Sequence, residues 1–210
     1  MIKKIDAHQH FWRYDPIDYS WINEEMLSLK KDFLPDDLFP ILEENGVEGT
    51  VAVQAFQDEK ENDFLLDLAE KHPFILAVVG WIDLKSEELP VRLSKYKSYK
   101  KLKGFRHVLQ DEADPEYILN QAFQRGLKTI IGLGYTYDLL VLPHQIKGAI
   151  KTVSNFESGS FVLDHLAKPD IKNGQNEQWK ENIKALAEYP NVHCKLSGMI
   201  TEAAWNQWEE

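Results

Sequence analysis

Cysteine is nearly absent from this chain. Cys194 stands alone among 210 residues, which excludes an intrachain disulfide and fits a reducing, cytoplasmic compartment. No apolar run approaches the about eighteen residues needed to cross a bilayer, so no membrane partner is expected; the longest, FILAVVGWI at 74–82, suits a buried strand. The start, MIKKIDAH, has no apolar signal region before its first acid, so export is not expected. Positive charge is in short supply too. With 34 acidic against 24 basic residues the formal net charge is −10, a balance that repels nucleic-acid phosphate. The basic cluster KYKSYKKLK at 95–103 reads as a solvated helix end. Finally, no glycine-rich phosphate loop follows the first apolar run, which removes the main pointer to an open nucleotide-binding sheet.

What the chain does have is apolar residues, 43% of the total, enough for one well-buried core in a single domain over 1–210. Short apolar runs alternate with helical patterns. Strands are expected at 5–8, 50–55, 74–81, 104–108, 137–142, 160–165 and 192–197. Helices are expected at 35–46, closing on Gly46; at 114–126, with Asp114 as N-cap, Pro115 at the first helical position and Gly126 as terminator; and at 176–189. Several strands are continuous apolar runs, as strands buried on both faces are, and alternation with helices implies a parallel sheet with right-handed crossovers.

Polar residues able to do chemistry sit at the carboxyl end of nearly every strand. They are His8 and His10, Gln54, Trp81 and Asp83, Arg106 and His107, Asp164 and His165, and Lys195. An α/β barrel of the (β/α)8 TIM type gathers such ends at one mouth, whereas an open sheet spreads them along a line. The barrel is therefore the expected fold. In IDAHQHFW the two histidines are two positions apart, so in a strand both rings project from one face, close enough to share a metal ion or a substrate.

Four segments, DAHQHFW at 6–12, GFRHVLQDE at 104–112, DHLAKP at 164–169 and CKLSG at 194–198, resemble the amidohydrolase superfamily, and within it the sugar-lactonase branch. The resemblance implies a (β/α)8 barrel that hydrolyses small cyclic esters or amides. By that resemblance His8 and His10 match the pair ending the first strand, His165 the histidine ending the sixth, and Arg106, His107 and Lys195 positions in the pocket. Superfamily members often hold one or two divalent cations; some lactonase-like branches are reported to work without metal. Two departures stand out. Lys195 occupies a place where many relatives offer a further histidine, and the eighth strand with its aspartate is missing, the chain stopping at WNQWEE, 205–210.

Opening a lactone needs an activated water, stabilisation of the carbonyl oxygen and a proton for the leaving alkoxide. A cation on His8, His10 and His165, three nitrogens plus an open position, is the arrangement of catalytic zinc. Without metal the same histidines serve as general base and donors. Arg106 would brace the carbonyl oxygen or a sugar hydroxyl, with Lys195 as a second cation. Gln54 and Trp81 would line the pocket. Of Arg106 and His107, neighbours on a strand, at most one points into the barrel. The aromatic-rich stretch 11–33, with Trp12 among its rings, reads as a loop over the mouth whose side chains stack on a sugar. Each has a structural counterpart: Arg106 as a buried ion pair, Lys195 reaching solvent, the loop merely packed on itself. His72, His144 and His193 are assigned to surface or loop.

The expected function is thus hydrolysis of a sugar-acid lactone, weakened by the missing aspartate. Alternatives are a metal-assisted decarboxylase or amide hydrolase, or an inactive module that binds or oligomerises. Open edges on the first and seventh strands favour pairing between copies.

Overall fold

The computed structural model describes residues 4–204. Seven strands appear where seven are expected: β1 (Ile5–Gln9), β2 (Gly49–Val53), β3 (Ile75–Gly80), β4 (Leu102–His107), β5 (Thr136–Leu139), β6 (Phe161–Leu163) and β7 (Val192–Cys194). Strand order follows chain order, β1 through β7. Between them lie α1 (Pro35–Glu44), α2 (Glu59–Lys71), α3 (Leu89–Ser94), α4 (Gln121–Gly132), α5 (Ile146–Asn155) and α6 (Glu177–Ala187). The segment WNQWEE, 205–210, lies outside the described residues.

The chain forms two compact units, one running to Ile82 and including Lys95–Gly104, the other comprising Asp83–Ser94 and the residues from Phe105 on. In the first, β1 pairs with β2 and β2 with β3, both parallel. Ala52, Val53, Leu65, Leu66, Ala69, Ile75 and Val78 form its core, with the apolar face of α2 laid on β3. In the second, β5 pairs with β6 and β6 with β7, again parallel, over Phe105, Phe123, Leu127, Ile130, Tyr137, Leu139, Ile146 and Phe161. Within each unit, parallel strands carry their carboxyl ends to one side, which is where the polar strand-end residues lie.

Local chemistry accounts for the helix limits. Pro35 sits in the first turn of α1, the Asp37 carboxylate accepts the Leu34 N–H at 2.9 Å, and Gly46 just past the helix has φ +63°, the left-handed value that suits glycine. The expected helix at 114–126 needs correction. Residues 117–119 make only a single tight turn, and α4 starts at Gln121, because the Asn120 side chain caps it by accepting from the N–H groups of Ala122 and Phe123. Gly126 therefore lies inside the helix. Its purpose is proximity: a Cβ there would stand 2.1 Å from the Leu84 carbonyl oxygen.

Candidate functional site

In the first unit, the i, i+2 spacing brings the two histidines together as expected. His8 Nε2 and His10 Nε2 are 3.0 Å apart, with the rings edge-on at 4.7 Å and 81°. The register shift between Asp6 and Gln9 puts a bulge under this pair, which re-aims side chains at a strand end. His10 Nδ1 lies 2.8 Å from the Val53 carbonyl oxygen. A carbonyl only accepts, so Nδ1 carries the proton and Nε2 of the neutral ring holds its lone pair toward His8. Asp6 steadies the strand beneath, accepting from the His8 N–H at 3.1 Å and the Thr50 hydroxyl at 3.2 Å.

Gln54 ends β2 fully buried, its N–H on the Val79 carbonyl. The loop that follows is held by Glu61 of α2, a residue that sequence reading missed. Its buried carboxylate accepts from the N–H groups of Ala55 (3.1 Å) and Phe56 (2.9 Å). Next to it, Asn62 clamps Trp81 from both sides, its Oδ1 accepting the Trp81 N–H at 2.8 Å and its Nδ2 donating to the Trp81 carbonyl at 2.6 Å. Trp12, by contrast, is committed to packing. It is 5% exposed, pairs in backbone with Phe33, donates its indole N–H to the Lys31 carbonyl at 2.8 Å, and forms a cluster with Tyr19 and Ile22. The 11–33 stretch closes on itself around that cluster.

In the second unit, four successive strands each contribute one charged group. Arg106 on β4 donates to Asp164 Oδ2 at 2.9 Å; Asp164, at the end of β6, receives Lys195 on Oδ1 at 2.8 Å; and Lys195, just after β7, reaches Asp138 of β5 at 2.6 Å. All four side chains are at least nine-tenths buried, so mutual neutralisation is what makes their burial tolerable. Burial first, and the like charge of Asp164 next, outweigh Lys195 and raise the Asp138 carboxyl to about 6. Asp138 is another residue that sequence reading missed.

His107 faces the other side of β4. Its ring stacks on Tyr117 at 5.2 Å, meets Phe123 edge-on, and its Nε2 lies 2.6 Å from Glu112. Burial lowers its pKa, against the opposing pull of Glu112. Asp83 caps its own loop by accepting the Lys85 N–H.

His165 sits on unusual backbone. His165, Leu166, Ala167 and Lys168 all have φ between 49° and 55°, a left-handed turn with no glycine in it. Each such residue costs roughly 1–2 kcal/mol, and concentrated strain of this kind marks functional positions. The turn is held by the Trp179 indole, which donates to the Leu166 carbonyl at 2.7 Å, and by the Lys168 N–H on the His165 carbonyl. His165 Nδ1 is 2.9 Å from the Ser197 hydroxyl, which fixes the ring. Gly198 makes room, since a Cβ on it would stand 2.7 Å from His165 Cβ.

The family model described as amidohydrolase matches residues 5–210, and the chain belongs to that family. It is 40% identical over 210 residues to an L-fucono-1,5-lactonase of Burkholderia multivorans, covering 97% of this chain and 71% of that enzyme. It is 37% identical to the L-fucono-1,5-lactonase of Burkholderia ambifaria, over 97% of this chain and 70% of that one. Among solved structures, an amidohydrolase from Burkholderia multivorans with bound zinc superposes with a TM-score of 0.93 at 40% identity, covering 97% of this chain and 72% of that one. A TIM-barrel protein from Bordetella bronchiseptica aligns at 0.64 and 12% identity over 96% and 78% of the two chains, a likeness of fold alone. The fold is thus of TIM-barrel type and the protein a hydrolase, as its sequence leads one to expect.

Proposed function

We propose that this protein hydrolyses a sugar-acid lactone with the help of one divalent cation, zinc first among them. The observation that carries the reading is the His8–His10 pair, whose Nε2 atoms face each other while the Val53 carbonyl holds the His10 proton on the far nitrogen. Neutral imidazole nitrogens turned toward one another suit a shared cation. His165, its ring fixed by Ser197, would be the third ligand, and the zinc-bound relative supports this choice of metal.

A cation held there would lower the pKa of water and polarise a carbonyl. The protein's own groups do the rest. Water would add to the lactone carbonyl carbon, the ring C–O bond would break, and the proton given up by water would end on the released alkoxide oxygen. Arg106, braced by Asp164, offers fixed N–H donors to the carbonyl oxygen as it gains charge, or to a ring hydroxyl. Lys195 would add a second donor and Trp81 would border the substrate, with Gln54 buried beneath. Names of the two lactonases support a sugar lactone as the substrate class.

The test offers the purified chain a panel of aldonolactones, followed by base uptake at constant pH, beside aromatic acids for decarboxylation. Lactone opening above the spontaneous rate is expected; decarboxylation alone would reverse the assignment. We also propose that copies associate through the β1 or β7 edge, each of which has one strand neighbour among the described residues. Light scattering that shows only monomer would refute this.

A further inference from the structure

The ionic chain of the second unit contains two cations and two carboxylates, and its least expected member is Asp138. Of the four residues it alone touches only Lys195, at 2.6 Å, leaving the Arg106–Asp164 pair at 2.9 Å complete without it. An ammonium with one carboxylate partner is a good receptor for a second carboxylate brought by a ligand. Lys195 already has two, with Asp164 at 2.8 Å on its other side. An incoming carboxylate would therefore meet Asp138 beside Lys195, in a cluster whose two cations are already matched by two carboxylates and in a region nearly closed to water, where screening is weak. Hydroxyl and carbonyl oxygens carry no net charge and meet no such opposition. This is selection by repulsion as much as by attraction.

We propose that Asp138 sets the charge class of the substrate. By neutralising Lys195, it restricts the site to uncharged polyhydroxy lactones and turns away lactones that carry a free carboxylate. Asp138 is then a specificity-determining residue, acting through Lys195. The inference rests on the lactone-hydrolase reading above.

The experiment compares binding of galactonolactone and galactarolactone of the same ring size, which differ only by oxidation of the terminal carbon to a carboxylate. Calorimetry at about pH 8 keeps the carboxyl groups ionised. The native chain is expected to bind the neutral lactone at least about tenfold more tightly. Asp138→Asn should tighten the anionic ligand and shrink that preference by about tenfold, while Asp138→Glu, which keeps the charge, restores it. Lys195→Gln should widen the preference, since it removes the cation and leaves both carboxylates. That variant decides the matter if Asp138→Asn fails to fold. An unchanged preference in Asp138→Asn, an equal loss of both ligands, or a narrowed preference in Lys195→Gln would overturn the inference while leaving the lactone reading intact. Binding of neither lactone by the native chain would overturn both.

Discussion

Trp179 of α6 donates its indole N–H to the carbonyl of Leu166, 2.7 Å away, at the centre of a left-handed turn of four non-glycine residues. The turn carries His165, so a side chain on one helix fixes a proposed ligand thirteen or more positions earlier in the chain. Trp179→Phe keeps the ring and removes the donor. It is expected to weaken zinc binding by about 10–100-fold, the usual effect of losing a group that orients a ligand, and Ser197→Ala should do the same. Chelator competition measures it. Unchanged zinc affinity in both variants would show that the turn does not present His165 to a metal.

Glu61 makes a different kind of prediction. Its carboxylate is 3% exposed and accepts two backbone N–H groups from the loop after β2. Glu61→Ala leaves both donors of the half-buried loop without it and should cost about 1–2 kcal/mol of stability. Urea unfolding followed by circular dichroism gives the value. A loss below about 0.5 kcal/mol would mean that the loop holds itself.

His107 supplies a pH signature. Burial lowers its pKa below 6.5, so the folded protein favours the neutral ring and the unfolded chain binds more protons just below that pH. Stability is complete above 6.5 and falls as pH drops through the window between 6.5 and the lowered folded value. Asp138, with its pKa raised from 3.8 to about 6, acts in the opposite sense, losing stability as pH rises through that range. The comparison is therefore with a variant that differs at position 107 alone. His107→Gln should show a shallower decline in melting temperature between about pH 7 and about pH 5 than the native chain. Equal slopes would contradict the burial argument.

Much of this was legible in the sequence, and the reasons are physical. All seven strands were found because each is an apolar run bounded by turn residues, and the His8–His10 contact follows from the two-residue period of a strand. The start of α4 was misplaced because Asp114-Pro115 is a good local helix start, yet Asn120 offers a capping oxygen to two N–H groups and Gly126 is demanded by the approach of Leu84. Asp138 did leave a signal, a lone acid inside the apolar YDLLVL, which burial rules say needs a cation. Glu61 and Asn62 left none. In EKENDF they look like any solvated helix start, and only the tertiary fold reveals that they grip the loops after β2 and β3. Trp12 shows the reverse error of emphasis: an aromatic beside a histidine pair invites a role with ligand, but its indole closes the loop it belongs to.

The most direct measurement is the zinc content of the native protein beside His8→Ala and His10→Ala, by mass spectrometry after exhaustive dialysis against metal-free buffer. Near-stoichiometric zinc in the native chain, falling to background in both variants together with lactone opening, is the result predicted. Equal zinc in all three proteins, or lactone opening that survives loss of either histidine, would contradict the account.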